Sequence, residues 1–467
     1  MATETGTGAA IWTPSVDRNA GPLYLSIADA LAADVAAGTL SSGVRLPTQR
    51  ALAEVLGIDF TTVSRAYAEA QRRGLVEGRV GQGTYVRANR SSLPQASPTG
   101  IVDMSMNLPP SFQDATLIAR MWDGIAELQT EGGLDLLLRY QEAGGTRHDR
   151  AAGALWLAPR LGDVPVERLL VCPGAQGALL AVLSVLAAPG DTVCAEALTY
   201  PGFRSLAANR GVDLVGVPMD GEGPDPYAFE QICQQRAPKA MFCNPTLHNP
   251  TTRTQPLSRR KALIDIARRY GVPIIEDDAY GALPDNPVKP LAALAPDIVY
   301  HIAGLAKCIA PALRISYLVT PDARTATRCA GAIRATASMA SPLTAAISSR
   351  WINDGTAVAV LAAIRAETAH RQAVAKKILP SELVAADPQG YHLWLTIPEP
   401  WTRGEFAARL RAAGTGVVGS DAFALTSPPE AVRLSLGAAC SANELENSLQ
   451  IAADLLAEPP MVSSMVV

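Results

Sequence analysis

Apolar positions follow a helical period in three short stretches near the start of the chain. The first begins at residue 23, in LYLSIADALAADVAAGTL, and SSGVRLP interrupts it. The second, QRALAEVLG, follows Thr48, which can cap it, and stops at Gly57. The third is TTVSRAYAEAQRRG, whose apolar face consists of Val63, Ala66, Tyr67 and Ala70. The pattern predicts three short helices, the last two joined by a short turn.

A hairpin pattern follows these helices. LVEGRVGQGTYV predicts two short strands around a glycine-rich tip. Three helices and a hairpin in this order predict a winged helix-turn-helix. Its last helix turns Thr62 and Arg65 outward, where they can contact base edges or phosphates in a major groove. Arg79 and Gly83 lie in the hairpin, which can follow the phosphate backbone.

The charge of the chain is divided unevenly. Residues 41–90 hold eight arginines and four acidic residues, whereas the whole chain has a net charge of -4. The segment therefore carries +4 and the remainder -8, which favours a segment that faces a polyanion such as DNA. A solvated charged surface explains the charge alone equally well.

Beyond a polar connector, RANRSSLPQASPTGIV, the pattern changes. Short apolar runs such as ERLLVCP, VPIIEDD and DIVYHIA alternate with helical stretches, which predicts a mostly parallel α/β sheet. In such sheets, polar groups at the carboxyl ends of strands line the ligand crevice. PGAQG, HNPTT and EDDAY occupy positions of this kind. The helix start after Gly174 can bind an anion such as phosphate, although many glycines before helices only form a turn.

The bulk composition fits a globular protein. A chain of 467 residues is expected to form about two or three domains. It contains no run of about 18 apolar residues, and its first residues do not resemble a secretory signal. The seven cysteines are scattered, and the histidines do not cluster. We therefore expect a cytoplasmic protein with reduced thiols, no membrane span and no metal site.

Lysine is rare in this chain, which makes each lysine informative. There are six lysines against 34 arginines, at positions 239, 261, 289, 307, 376 and 377. Lys307 lies in AGLAKCIAPALRISYLV, among small and apolar residues just after the strand DIVYHIA. Desolvation there would lower the pKa of its amine and make it available for Schiff-base chemistry. The alternative is a lysine that extends its amine to water from a strand end.

The first part of the chain resembles a known family. LPTQRALAEVLGIDFTTVSRAYAEAQRRGLVEGRVGQGTYV is similar to the winged-helix domain of the GntR regulators. This resemblance implies that DNA is bound by Arg50, Thr62, Arg65, Arg79 and Gly83. Family members often have arginine where this chain has Phe60, so the resemblance does not imply a DNA contact at that corner.

The second part resembles the fold-type-I pyridoxal phosphate enzymes of the aspartate aminotransferase class. NPT, EDDAY and a lysine followed seven residues later by Arg314 occur in that family's order. A winged helix joined to such a module is the layout of the MocR subfamily of GntR regulators. The resemblance covers residues 20 to 455, and it implies pyridoxal 5'-phosphate as the cofactor.

The resemblance also implies roles around the cofactor ring. Lys307 matches the catalytic lysine that forms the internal aldimine, and Asp277 matches the carboxylate that keeps the pyridine nitrogen protonated. Asn249 and Tyr280 match the groups that hydrogen-bond the ring 3-oxygen. Tyr200 matches the aromatic residue that stacks on the ring.

Further matches concern the phosphate and the substrate. Ala175, Gln176 and Arg314 match phosphate-binding positions. Tyr140 matches a tyrosine that reaches the phosphate from the partner subunit. Arg433 matches the arginine that binds a substrate α-carboxylate in a bidentate pair. Structural alternatives remain for these and the ring residues: packing for Tyr140 and Tyr200, a surface arginine at 433, and turn residues at 249 and 277.

This chain departs from the family pattern near the lysine. The family commonly has S-x-S-K, whereas this chain has Gly304, Leu305, Ala306 and Lys307, so two hydroxyls are missing. Gly174 stands where aminotransferases often have serine, and Thr252 replaces the usual glycine. These departures imply weaker phosphate binding around a complete set of ring-holding residues.

The expected architecture is α/β with two domains. Residues 20–88 would form the winged helix-turn-helix DNA-binding domain, and residues 89–102 the linker. Residues 103–460 would form a fold-type-I PLP-dependent aminotransferase-like domain. Its large part, with a mostly parallel sheet, would span about 125–340, and its smaller α+β part about 345–460.

Three functions are compatible with these motifs. The first is a homodimeric, PLP-dependent transcription regulator that binds double-stranded operator DNA and senses PLP or an amino compound forming an external aldimine. The second is a catalytically active aminotransferase acting on an α-amino acid. The third is a DNA-binding protein whose aminotransferase-like module only dimerises. Motifs alone leave enzymatic turnover undecided.

Overall fold

The chain forms two compact units, Met1–Ala96 and Ser97–Val467. The computed structural model describes residues 12–14, 22–36, 39–40, 43–73, 75–79, 83–86, 101–128 and 137–458. The first unit contains three helices and one antiparallel hairpin. These are α1 (Leu23–Ala36), α2 (Gln49–Leu56), α3 (Phe60–Arg72), β1 (Val76–Arg79) and β2 (Gly83–Val86).

The local sequence explains where the helices of the first unit begin. Thr48 caps α2 by accepting a hydrogen bond from the backbone N–H of Ala51 at 3.2 Å. Asp59 caps α3 by accepting one from Thr61 at 2.8 Å, so this helix begins at Phe60, one residue before the predicted start. The predicted apolar face of α3 packs into the core of the unit, which also includes Leu31, Leu52, Val76 and Val86.

The second unit is built on a large, mostly parallel sheet. Its seven strands lie in the order β4-β12-β11-β10-β9-β5-β6, and β12 is antiparallel to both of its neighbours. The strands are β4 (Leu169–Cys172), β5 (Thr192–Glu196), β6 (Asp213–Val217), β9 (Met241–Cys243), β10 (Ile274–Asp277), β11 (Val299–Gly304) and β12 (Ser316–Val319). The short strands β7 (Met219–Asp220) and β8 (Gly223–Pro224) form a separate pair.

Alternate residues of a strand point to opposite sides of the sheet. Apolar residues on both sides of this sheet are covered by helices. Leu170 and Cys172 belong to one apolar cluster, whereas Leu169 and Val171 belong to the other. The helices of this part are α4 (Ala115–Glu127), α5 (Arg147–Leu161), α6 (Gly174–Leu186), α7 (Pro201–Asn209), α8 (Pro226–Arg236), α9 (Leu257–Tyr270), α10 (Leu291–Leu294), α11 (Ala323–Thr336) and α12 (Pro342–Asn353).

A smaller antiparallel sheet follows the long helix α13 (Thr356–Ile378). Its strands, in spatial order, are β13 (Val384–Ala386), β14 (His392–Thr396), β17 (Ala431–Ser435) and β16 (Val418–Gly419). Helices α14 (Arg403–Ala412) and α15 (Ala442–Ala457) pack on it. Strand β3 (Val102–Asp103) pairs in parallel with β15 (Thr415–Gly416). The predicted fold class, α/β with a helix-turn-helix unit, is therefore confirmed.

Neither membrane spans nor metal clusters occur in the described part of the chain. No helix there is long and apolar enough to cross a membrane. The same residues contain no group of three histidine, cysteine or acidic side chains that could hold a metal ion.

Two helical glycines give a matched test of packing. A Cβ at Gly153 in α5 would lie 2.4 Å from Cδ1 of the buried Tyr317 ring, whereas one at Gly331 in α11 would meet no atom within 4 Å. We expect Gly153→Ala to lower the free energy of unfolding by about 1–3 kcal/mol through overpacking. Gly331→Ala should raise it by about 0.5–1 kcal/mol, since alanine favours the helix. Urea unfolding of both variants measures the difference, and equal effects would contradict the packing against Tyr317.

Candidate functional site

The carboxyl ends of the large sheet open into a cavity of about 560 Å³. Strands β10 and β11 end at Asp277 and Gly304, and α6 begins just after β4 ends. These parallel strand ends meet at one edge of the sheet, which is where ligands bind in α/β folds. Nine residues singled out in the sequence line the cavity: Ala175, Gln176, Tyr200, Asn249, Asp277, Tyr280, Lys307, Arg314 and Arg433.

One predicted residue does not reach this cavity within the chain. The side chain of Tyr140 is 87% exposed, and Tyr140 is absent from the cavity lining. Its sequence assignment was to the site of a partner subunit, which a single chain does not test.

Lys307 extends into the cavity from a short 3-10 turn, Leu305–Lys307, directly after β11. Its Nζ donates a hydrogen bond to the backbone carbonyl of Asn107. The pKa of this amine is lowered to about 8, mainly by burial and also by Arg433, while Asp277 opposes the shift. A lysine with a lowered pKa holds a larger fraction of neutral, nucleophilic amine near neutral pH.

Asp277 is a buried carboxyl group with an unused hydrogen-bond acceptor. Its Oδ1 makes no hydrogen bond to any described residue. Burial raises its pKa to about 7, and the nearby carboxyl groups of Asp278 and Glu196 contribute to the shift. Such a group is well suited to accept a hydrogen bond from a cationic N–H brought by a ligand.

The opposite wall of the cavity holds Arg433 on β17. Its Nη1 donates to Oδ1 of Asn249 at 2.8 Å, and its Nη2 donates to the backbone carbonyl of Ser105. The guanidinium carbon lies 5.3 Å from the centroid of the Phe423 ring. Its Nε is buried without a partner among the described residues. Burial lowers the pKa of Arg433, yet a guanidinium stays charged and can bind a carboxylate.

The start of α6 and Arg314 lie close together in one corner of the cavity. A Cβ at Gly174 would lie 3.0 Å from Nη2 of Arg314, and the φ of Gly174 is +73°. A serine at 174 would therefore be strained and would crowd this arginine. Gln176 continues the helix start and donates from Nε2 to the hydroxyl of Tyr200 at 3.1 Å. Free backbone N–H groups and a guanidinium at one point suit a phosphate.

Gly304 is different, because the space beside it is open. A Cβ there would lie 3.6 Å from that of Ala175 and 4.0 Å from that of Ser316, which are ordinary contact distances. The hydroxyl that the family commonly has at this position is thus missing without a steric reason.

The motifs missed several lining residues, and four of these contact the side chains or main chain of the predicted site residues. Asn107 donates from Nδ2 to the hydroxyl of Tyr280 at 2.7 Å, in addition to its contact with Lys307. Ser105 and Phe423 contact Arg433. These three residues are distant from the strand-end motifs in sequence, so no motif identifies them. The fourth, Asn244, directly follows β9, and the strand-end rule could have found it.

Asn244 connects the cavity residues Asp277 and Asn249. Its Nδ2 donates to the backbone carbonyl of Asp277 at 2.6 Å, and its Oδ1 accepts from the backbone N–H of Asn249 at 2.8 Å. Glu196 anchors it by accepting from its backbone N–H at 2.9 Å. One buried amide therefore fixes the spacing between the main chains that carry Asp277 and Asn249.

The first unit has its own candidate interface with a nucleic acid. Arg50, Phe60 and Gly83 line a second cavity, of about 390 Å³, together with Arg45 and Thr48. Gly83 has a φ of +107°, and a Cβ there would lie 3.0 Å from Nε of Arg45. Glycine at this point of the hairpin is therefore needed for the close approach of Arg45.

The remaining predicted DNA contacts are not in that cavity. Thr62 lies on α3, half-buried, and the guanidinium of Arg65 lies 4.3 Å from the centroid of the Tyr24 ring. Arg79 pairs with Gly83 in the hairpin, and its side chain lies outside the described parts. At the end of α3, Arg72 and Arg73 form ion pairs with Glu69.

Family comparisons agree with this division. Residues 100–451 match the family described as aminotransferase class I and II. Residues 23–86 match the bacterial regulatory proteins of the gntR family. Among solved structures, the α-aminoadipate aminotransferase LysN of Thermus thermophilus, complexed with N-(5'-phosphopyridoxyl)-L-leucine, has a TM-score of 0.68 at 22% identity. The alignment covers 84% of this chain and 98% of that one.

Curated relatives include transcriptional regulators, one of which matches nearly the whole chain. The uncharacterised HTH-type transcriptional regulator YdeF of Bacillus subtilis (strain 168) is 30% identical over 452 residues, which are 95% of this chain and 96% of YdeF. The probable rhizopine catabolism regulatory protein MocR of Rhizobium meliloti is 26% identical over 334 residues, 66% of this chain and 67% of MocR. The chain thus belongs to the GntR-type transcriptional regulators of the MocR subfamily, in which a helix-turn-helix domain is joined to a class I and II aminotransferase domain.

Proposed function

We propose that this regulator binds operator DNA through its first unit and binds pyridoxal phosphate in its second, where a small amino compound alters its state. The observation that carries the proposal is the single cavity that Lys307, Asp277, Arg314 and Arg433 share. The DNA contacts proposed from the sequence are Arg50, Thr62, Arg65, Arg79 and Gly83. Such a regulator would act in the cytoplasm, where its DNA target lies.

The donors and acceptors of the cavity fit pyridoxal phosphate. The unpaired Oδ1 of Asp277 suits a protonated pyridine nitrogen. Arg314, with the start of α6 at Ala175 and Gln176, suits the phosphate. Lys307 supplies an amine whose lowered pKa favours attachment to the aldehyde carbon. When bound, the cofactor supplies an electrophilic carbon for amines and an electron-withdrawing ring.

Tyr200, Asn249 and Tyr280 would orient the ring of the cofactor. Tyr200 lines the cavity next to the phosphate corner and offers its ring for stacking. Asn249 and Tyr280 would hydrogen-bond the ring oxygen; at present Asn249 accepts from Arg433 and Tyr280 accepts from Asn107. Their polar atoms are thus already fixed in direction by neighbouring groups, which is what a preorganised site requires.

Arg433 indicates the chemical class of the effector. Its buried guanidinium has an unpaired Nε, and a carboxylate could replace its contacts with Asn249 and Ser105. The effector would therefore carry two groups. Its amine would compete with Lys307 for the aldehyde carbon of the cofactor, and its carboxylate would bind Arg433.

A homodimer would complete the site. Tyr140 exposes 87% of its surface although it is a large aromatic residue, and Trp122 and Leu138 are exposed as well. Exposed aromatic side chains of this kind are typical of protein interfaces. We propose that Tyr140 reaches the phosphate of the partner subunit, and that the dimer presents two DNA-binding units to two half-sites.

Aminotransferase activity is the second candidate function. It is favoured by the same cavity, which brings together Lys307, Asp277 and Arg433. Conversion of an amino acid to its keto acid at about 1 per second or faster, an ordinary enzyme rate, would support it. If amines change DNA affinity without such conversion, sensing is supported instead. If they change neither, the second unit serves only to dimerise.

Replacing the proposed attachment lysine tests the cofactor assignment. Purified protein mixed with pyridoxal phosphate should develop the visible absorption band of a lysine-linked cofactor. Lys307→Ala should abolish this band because the amine is removed. Lys261→Ala, which removes an exposed lysine of α9, is the control and should leave the band unchanged. A band that persists in Lys307→Ala would contradict the assignment, and DNA affinity measured in parallel tests the regulator separately.

The connecting role of Asn244 gives a further test. Asn244→Ala leaves the carbonyl of Asp277 and the N–H of Asn249 without their partner, each at a cost of about 1–3 kcal/mol. Pyridoxal phosphate should therefore bind at least about tenfold more weakly, as measured by absorbance titration. Gln234→Ala removes an exposed hydrogen bond to Tyr270 and should have little effect. If Asn244→Ala lowers only the melting temperature, its role is structural and does not extend to the cofactor.

The missing hydroxyl beside the lysine can be restored. Gly304 has room for a side chain, so Gly304→Ser should fit and offer a new donor to the phosphate. A hydrogen bond to a charged group contributes about 1.5–3 kcal/mol, so cofactor affinity should rise about tenfold or more. Gly304→Ala adds the Cβ without the hydroxyl and should leave affinity unchanged. Equal affinities of the two variants in absorbance titrations would show that position 304 does not face the phosphate.

A further inference from the structure

Phe60 is an exposed aromatic residue at the first position of α3. Its surface is 44% exposed, and it is not part of the apolar core of the first unit. Asp59 caps the helix, so Phe60 belongs to the first turn. When a helix enters a major groove, residues at its N-terminal end contact the base edges. A phenyl ring in that position requires an explanation, because it has no hydrogen-bonding group for a base edge.

The surroundings of Phe60 include two arginines that form no ion pair within the described residues. Arg45 and Arg50 line the same cavity as Phe60, and both are exposed. Neither forms an ion pair with a described acidic residue, whereas Arg72 and Arg73 are paired with Glu69. The described face around Phe60 therefore carries positive charge that is complementary to a phosphate backbone.

We propose that Phe60 recognises thymine through the 5-methyl group in the major groove, while Arg45 and Arg50 bind the adjacent phosphates. The 5-methyl group of thymine is the apolar group that base pairs present in this groove, and aromatic side chains contact it. This inference rests on the proposed DNA-binding function and adds the base that Phe60 selects. The occupant of this face is thus duplex DNA with a thymine at one position of each half-site.

Replacing thymine by deoxyuridine tests the proposal with the smallest possible change. Duplexes that bind the full-length protein are first selected from a random pool, and each thymine is then replaced in turn. Deoxyuridine lacks only the methyl group. Affinity should fall about fourfold at one thymine of each half-site, which corresponds to about 0.8 kcal/mol for one buried methyl-sized group. Fluorescence anisotropy of labelled duplexes measures this ratio.

Variants at position 60 test whether the phenyl ring of Phe60 causes the difference in affinity between thymine and deoxyuridine duplexes. Phe60→Ala should bind thymine and deoxyuridine duplexes equally at that position, whereas Phe60→Leu should keep part of the preference. Phe60→Arg should shift the preference from thymine to guanine, whose O6 and N7 accept from a guanidinium. Val55→Ala is the control, since Val55 is 49% exposed on α2 but does not line the cavity. This control should keep the full thymine preference.

Arg45→Ala separates phosphate binding from base recognition. It should weaken all duplexes alike and reduce the salt dependence of binding by about one unit of slope, without changing the ratio of thymine to deoxyuridine.

The outcomes of these measurements distinguish a failure of the proposed DNA-binding function from a failure of the role assigned to Phe60. If no duplex from the pool binds wild-type protein, the proposed DNA-binding function fails. If duplexes bind but no thymine is sensitive to deoxyuridine, or if Phe60→Ala keeps the full ratio, only the assignment to Phe60 is overturned. If Phe60→Ala melts normally yet loses all duplexes equally, the ring supports binding in general, and its selection of thymine is likewise wrong.

Discussion

The carboxyl group of Asp277 is the constraint on which the second unit depends. It lies at the buried end of β10, its Oδ1 has no partner among the described residues, and its pKa is raised to about 7. A buried carboxylate is costly until a cation meets it. Lys307 offsets part of this cost, and a ligand that brings a positively charged donor to Oδ1 would offset more of it.

The charges around Asp277 follow from the same requirement. Lys307, Arg314 and Arg433 bring three basic groups to a cavity in which Asp277 is an acidic lining residue. A cavity with more basic than acidic side chains favours ligands with several negative groups, such as a phosphate together with a carboxylate. The lowered pKa of Lys307 has in part the same origin, because Arg433 disfavours a second cation nearby. The positions of these groups are also fixed, because Asn244 holds the main chains of Asp277 and Asn249 relative to each other.

The sequence predicted the parts of this site that follow strand ends. Asp277, Lys307 and Ala175 lie where a buried strand stops, and that rule depends only on local pattern. Asn107 and Ser105 could not be found in this way, because their contacts join segments 173 and 328 residues apart in sequence. The helical period placed α3 correctly but missed its first residue, since the Asp59 cap extends the helix to Phe60. The assignment of Tyr140 concerns a partner subunit, so the structure of a single chain does not test it.

The contacts of Lys307 and Arg433, the two cations proposed to bind a ligand, also indicate how binding would affect residues next to the cavity. Lys307 donates to the carbonyl of Asn107, and Arg433 donates to the carbonyl of Ser105. Both carbonyls belong to one segment, which directly follows β3 and lies a few residues after the connector at the start of the second unit. A ligand that binds Lys307 and Arg433 would break both hydrogen bonds. The carbonyls of Asn107 and Ser105 would then need other donors. Because a ligand shifts an equilibrium only through bonds that differ between two states, these two hydrogen bonds would couple occupation of the cavity to the segment that contains Ser105 and Asn107.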